Sequence, residues 1–176
     1  MFLRTNFMKF RDIYEEVSEK PKYVLYVDMD GVLTNFSKAC KQIGVNMQDL
    51  DINPDLAFEK IDAAGEDFWS RMPPMDDYKI LWNYISKYHP TILSAPSRNP
   101  NSKTGKRKWV DRELGSNVPA IFVPKKLKQK QCKGPNYILI DDHPGNIERW
   151  EKAGGIGILH PFKAQPTIDR LKELGL

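Results

Sequence analysis

The stretch Tyr23 to Phe36, YVLYVDMDGVLTNF, constrains this chain more than any other: an apolar run ends abruptly in Asp28-Met29-Asp30-Gly31. Side chains alternate along a strand, so Asp28 and Asp30 set off toward the same side, and Gly31 lets the chain turn sharply behind them. In open α/β sheets, ligands sit outside the carboxyl ends of the strands. Two carboxylates at such an edge could grip a cation and a phosphate together. Taken alone they could equally cap a helix or stand in solvent, so the rest of the chain must decide.

The chain repeats the opening pattern. Short apolar runs bounded by Pro, Gly or charge predict strands over Tyr23–Asp28, Thr91–Ala95, Ala120–Val123, Tyr137–Ile140 and Ile156–His160. Helical spacing predicts a helix at the N-terminus (residues 1–20) and others over Asp77–Tyr88, Gly105–Leu114, Pro144–Ala153, stopped by Gly154-Gly155, and Pro166–Leu174. Alternating strands and helices imply an α/β fold, a parallel sheet covered on both faces with its carboxyl ends at one edge. Ser37 to Met75 breaks the rhythm: it holds no convincing strand and reads as a small helical insertion above that edge. The 176 residues suit one domain carrying such an insertion.

Composition narrows the function classes. With 40% hydrophobic and 28% charged residues the chain reads as globular. No apolar stretch reaches membrane-span length, and the N-terminus lacks a continuous apolar core, so a cytosolic setting without a membrane partner is expected. Cys40 and Cys132 form no CxxC or Cys/His pattern, which argues against a disulfide framework or zinc site. Basic residues cluster between Lys103 and Lys133. They read either as a site for an anionic partner or as a solvated helical face.

Two further strand ends carry polar groups. Thr91-Ile92-Leu93 runs into Ser94-Ala95-Pro96, and Tyr137-Ile138-Leu139-Ile140 runs into Asp141-Asp142-His143. A hydroxyl and a second acidic pair therefore arrive at the edge that holds Asp28 and Asp30. An all-oxygen group of this kind suits a hard cation. Asp142 could also serve as the N-cap of the helix that follows.

In this order and spacing the motifs resemble the haloacid dehalogenase-like (HAD) phosphohydrolase superfamily. The resemblance implies a Rossmann-like three-layer sandwich with a cap inserted after the first strand, approximately residues 37–75. It implies that Asp28 attacks phosphorus to form an aspartyl-phosphate and that Asp30 acts as acid and then base. Ser94 and a lysine hold the transferring group. Mg2+ is held by Asp28, the main chain of Asp30 and Asp141, with Asp142 supporting. Lys125, Lys126, Lys128, Lys130 and Lys133 compete for the lysine's role, Lys128 being the first choice and Lys130 next, beside the substrate.

A narrower resemblance bears on substrate. DMDGVLTNF is similar to the first motif of the 5′(3′)-deoxyribonucleotidases, which places Phe36 against a nucleobase. Phe68-Trp69 before Met72-Pro73-Pro74 resembles that family's base-pocket segment, with packing of the insertion as the alternative for Trp69. Ser94-Ala95-Pro96 resembles its Thr-Ser-Pro, Ala95 lacking the serine hydroxyl. Gly105–Val110 resembles its Lys-x-x-Trp-Val, in which Lys106 reaches the phosphate. The partner implied is a small phosphate ester, a nucleotide. The alternatives are a phosphorylated nucleic-acid end or another phosphorylated metabolite, and the oligomeric state stays open between monomer and homodimer. His143 is expected at a rim or capping position, and His89 and His160 in structural ones.

Overall fold

The computed structural model describes residues 22–176, so the helix expected over residues 1–20 falls outside the described part. Five strands, β1 (Val24–Val27), β2 (Thr91–Ser94), β3 (Ala120–Phe122), β4 (Tyr137–Asp141) and β5 (Ile156–Leu159), form one sheet in the order β3-β2-β1-β4-β5. Every pairing is parallel. Each expected strand lies within one residue of its observed ends.

Burial on both faces explains why these runs are nearly continuously apolar. In β4, Ile138 and Ile140 enter one packed cluster with Leu25, Val27, Ile92 and Trp109, while Leu139 joins Leu93, Ile147 and Trp150 on the opposite face. The period-2 alternation thus feeds two cores, and the architecture is the three-layer sandwich read from the sequence.

Helices α1 (Phe36–Gln42), α2 (Met47–Ile52), α3 (Pro54–Ala63) and α4 (Gly65–Ser70) fill the insertion after β1, and α5 (Tyr78–Ile85) with a 3-10 turn at Ser86–Tyr88 leads back to β2. Helix α6 (Pro100–Glu113) joins β2 to β3, a 3-10 segment (Lys125–Gln131) leads toward β4, α7 (Pro144–Lys152) joins β4 to β5, and α8 (Ala164–Glu173) follows β5. Helix α6 starts five residues before the expected Gly105 because Asn99 caps it, accepting from the Asn101 N–H at 2.9 Å, and Pro100 occupies the first turn. No helix among the described residues is long and apolar enough to cross a membrane.

Helix α6 ties the insertion to the core. The Trp109 indole N–H donates to the Met72 carbonyl at 2.9 Å, and Arg112 donates to the Ser70 carbonyl at 2.7 Å. Close approach requires Gly105, since a Cβ there would stand 2.5 Å from the Trp69 Cβ and 2.7 Å from the Glu66 carbonyl oxygen.

Candidate active site

Strands β2, β1 and β4 are neighbours, so their carboxyl ends deliver Ser94, Asp28 and Asp141 side by side. The Asp28 N–H donates to the Ile140 carbonyl at 2.9 Å, extending the β1–β4 ladder by one residue. The chain then folds onto itself: the N–H groups of Val32, Leu33 and Thr34 all point at the Met29 carbonyl, at 3.1, 2.7 and 2.8 Å. This tight loop needs Gly31, which sits at φ +80° and whose missing Cβ would stand 2.2 Å from Asp142 Oδ2. Gly31→Ala is therefore expected to cost about 1–2 kcal/mol in backbone strain and to push Asp142 aside. A displacement of that kind should lower kcat/KM by roughly 10²-fold. Melting and phosphate-release measurements on the variant check both effects.

Two buried lysines organise the acids. Lys128 bridges Asp28 Oδ2 at 2.7 Å and Asp141 Oδ2 at 2.8 Å. Burial pulls its ammonium down, yet the two carboxylates outweigh burial and hold it above the ordinary lysine range. Lys106, fully buried, donates to Asp30 Oδ2 at 2.6 Å, to Ser94 Oγ at 3.0 Å and to the Ala95 carbonyl at 2.8 Å. The other oxygen of Asp30 accepts from the Thr34 hydroxyl at 3.0 Å. Lys106 also lies 5.3 Å from the centre of the Trp69 ring, within cation–π range.

The two acids of the Asp141-Asp142 pair differ sharply in occupancy. Asp141 Oδ1 accepts from the His143 N–H at 2.9 Å and the Asn146 amide at 2.9 Å, and Oδ2 accepts from Lys128 and the same amide, both at 2.8 Å. Three donors thus hold Asp141, the Asn146 amide being shared between its two oxygens. Asn146 is held in turn by Arg149, which donates to its Oδ1 at 2.6 Å. Asp142 accepts no side-chain hydrogen bond among the described residues and does not cap α7; that position belongs to His143, whose Nδ1 accepts from the Gly145 N–H at 3.1 Å.

The donor chemistry of this corner fits a hard cation. Carboxylate oxygens of Asp28, Asp141 and Asp142 lie within 4.8 Å of one another, with no sulfur or imidazole ligand among them. Burial, then the charges of Asp28 and Asp141, push the Asp142 carboxyl up to about 7, and burial with the Asp28 charge pushes Asp141 up to about 6. Because the folded state keeps protons that the unfolded chain would release, the stability this cluster lends is present at low pH. It is lost as pH rises from the ordinary value of 3.8 to about 7. Buried His160, pulled down to about 4 by burial, acts in the opposite sense, losing its contribution as pH falls below 6.5.

A cation that replaces those protons should raise Tm more at about pH 8 than at about pH 5.5. His160 is common to the protein with and without the ion and cancels from the comparison. Melting curves with Mg2+ against EDTA at the two pH values test this; equal increments would contradict it.

A cavity of about 840 Å³ opens beside these groups. Asp28, Asp30, Phe36, Trp69, Ala95, Lys128 and Asp142 line it, with Phe58, Met47 and Met75 from the insertion and Ser97, Lys125, His143, Asn146 and Phe162 from the sheet edge. Phe36 packs flat against Trp69, ring centres 5.9 Å apart with 22° between planes, and Phe68 meets both edge-on. Trp69, only 2% exposed, backs the wall and leaves Phe36 as its more open face. Ser94 is buried behind the lining and reaches the site through Lys106.

Lys130 is not brought into the cavity: it is exposed, its carbonyl accepts from Lys133, and of the lysines in the 3-10 segment only Lys128 is buried, Lys125 lining the cavity from an exposed position. Lys126 is exposed as well. The basic cluster divides in two. On α6, Arg107 pairs with Asp111, Lys108 with Glu66 and Arg112 with Glu113. Lys125, Lys126, Lys130 and Lys133 form no ion pair among the described residues. Asn146, Thr34 and Phe162 were not singled out from the sequence. Asn146 carries a faint signal, sitting in the first turn after an acidic pair, whereas nothing local marks the other two.

No protein-family model matches the chain. Its fold is that of the HAD-superfamily hydrolases: a hydrolase of that superfamily from Ehrlichia chaffeensis superposes with a TM-score of 0.53 at 12% identity, covering 90% of this chain and 100% of the other. A phosphonoacetaldehyde hydrolase-like protein from Oleispira antarctica superposes with a TM-score of 0.50 at 12% identity over 89% and 79% of the two chains. Among curated proteins, the chain is similar to a Vibrio phage KVP40 protein named "Putative 5'(3')-deoxyribonucleotidase", with 26% identity across 136 residues, 73% of this chain and 70% of the relative.

Proposed function

We propose that this protein is a Mg2+-dependent phosphatase that hydrolyses nucleoside monophosphates, deoxyribonucleotides among them, through an aspartyl-phosphate at Asp28. The observation that carries the reading is the contact of two unlike surfaces in one cavity. Asp28, paired with Lys128, and Asp30, paired with Lys106, stand beside an aromatic wall headed by Phe36. A nucleotide offers a dianion to the first and a flat apolar face to the second. The similarity to the phage protein supports the same substrate class.

In this reading a carboxylate oxygen of Asp28 bonds to phosphorus while the bond to the leaving oxygen breaks, and that oxygen takes a proton from Asp30. Asp30 next draws a proton from water, whose oxygen attacks the aspartyl-phosphate and frees Asp28. Lys128, on Asp28 already, and Lys106, turning from Asp30 toward the phosphoryl oxygens, stabilise the charge of the transferring group. Ser94 orients Lys106 from behind, and the Ala95 main chain holds it from the side.

Asp28, Asp142 and the Asp30 carbonyl would hold the metal. Asp142 is favoured over Asp141 because no other side chain among the described residues binds it, whereas Asp141 accepts from Lys128 and Asn146. When bound, Mg2+ supplies charge neutralisation between the attacking carboxylate and the phosphate. The insertion of approximately residues 37–75, built on helices α1 to α4, serves as a cap within a single domain, and the cytosolic setting expected from the sequence accompanies the proposal.

One alternative has its own support. Lys125, at the cavity, with Lys126, Lys130 and Lys133 nearby, could track a nucleic-acid backbone toward a terminal phosphate, and such binding weakens steeply with salt. A phosphate-release screen with Mg2+ separates the readings. The proposal expects nucleoside monophosphates to exceed sugar phosphates by at least about tenfold in kcat/KM, with little salt dependence. Preference for a sugar phosphate, or salt-sensitive activity confined to oligonucleotide ends, would contradict it.

A further inference from the structure

Phe162 is an outlier twice over. It is 53% exposed, and its backbone lies at φ +57°, a region left mostly to glycine and short polar residues. Its ring belongs to neither packed apolar cluster, so the fold gains no core contact from it.

The segment around it is nonetheless firmly tethered. Before it, the His160 N–H donates to the Asp141 carbonyl at 2.9 Å, and the His160 ring meets the Thr167 hydroxyl at 2.7 Å. After it, the Ala164 N–H donates to Asp77 Oδ2 at 2.7 Å. Phe162 sits between these ties and lines the cavity together with Lys128 and His143. A strained conformation kept by its surroundings is characteristic of functional positions.

We infer that Phe162 is a specificity-determining residue that contacts the leaving group of the substrate from the sheet-edge side of the cavity, whereas Phe36 and Phe58 approach from the helical insertion. The ring favours phosphate esters whose leaving group has a flat apolar face over small polyol phosphates. This rests on the phosphatase reading, which supplies the phosphate end of the substrate.

Phe162→Gly separates contact from structure, because glycine accepts the left-handed backbone without strain. The experiment measures kcat and KM for thymidine 5′-monophosphate and for glycerol 3-phosphate with wild type and variant, together with Tm. The ratio of the two kcat/KM values, nucleotide over glycerol ester, should fall about tenfold, with the loss in KM, as expected for removing one stacking contact. Tm should be equal to or above that of wild type. An unchanged ratio, or a parallel loss on both esters with a lowered Tm, overturns the inference. Wild type inactive on both esters would instead overturn the nucleoside-monophosphate reading on which the inference rests, before any variant is made.

Discussion

Asp28→Asn is expected to lower phosphate release by roughly 10⁴- to 10⁶-fold, the range seen when a covalent nucleophile is removed. The amide is nearly isosteric with the carboxylate. One oxygen can still accept from the Met29 N–H, which lies 2.8 Å from Asp28 Oδ1 in the parent protein. What disappears is the charged oxygen that Lys128 aims from 2.7 Å, and with it both the attacking lone pair and one ligand for the metal. Because the chain ends around Asp28 are fixed by the β1–β4 ladder, Tm should shift by only a few degrees. A variant that folds and yet keeps a tenth of wild-type activity would sink the covalent mechanism.

Lys128→Met should be nearly as damaging for a different reason. Its ammonium is all but fully buried between Asp28 and Asp141, and removing one partner of a buried charge pair leaves the others unpaired, at a cost of about 3–5 kcal/mol. Catalysis should fall as well, by about 10²- to 10³-fold, since a donor aimed at developing charge is lost. The two effects come apart with Mg2+: the ion should restore much of the lost Tm by neutralising the acids, while activity stays low. Lys130→Met, in contrast, removes an exposed charge and should alter neither. Equal losses in the two lysine variants would mean that the 3-10 segment does not position its lysines as described.

The site was unevenly legible in the sequence, and the unevenness has physical causes. Asp28, Asp30, Ser94 and Asp141 terminate strands or follow them directly, so the period of the apolar runs places them at one edge before any coordinate is known. Lys128 is different. Four lysines crowd Lys125–Gln131, all with similar local surroundings, and only the packing of the 3-10 segment against the sheet edge selects the one that faces Asp28 and Asp141. The division of labour in Asp141-Asp142 was equally hidden. It depends on Asn146 and on the His143 N–H consuming the oxygens of Asp141, a matter of hydrogen-bond count that spacing alone does not reveal. The resemblance pointed to Lys106, but its grip on Asp30 as well as Ser94 emerged only from the fold.

The helical elements show the same pattern. Their cores were readable from apolar spacing, while the early start of α6 hinged on a single cap at Asn99. Phe162 gave no local sign because its importance lies in what it fails to do: it packs into no cluster, although the chain on both sides is pinned.

The central claim, a phosphoryl group carried on Asp28, is tested most directly by catching it there. Wild type and Asp30→Asn would be mixed with Mg2+ and a nucleoside monophosphate, quenched in acid within one turnover, and digested for peptide mass spectrometry. The account predicts the mass of one phosphoryl group on the peptide containing Asp28 of wild type, and in the Asp30 variant both slower appearance of that group, because the leaving oxygen is no longer protonated, and slower loss, because water is no longer activated. Steady turnover with no label on that peptide, or label on another residue, would contradict it.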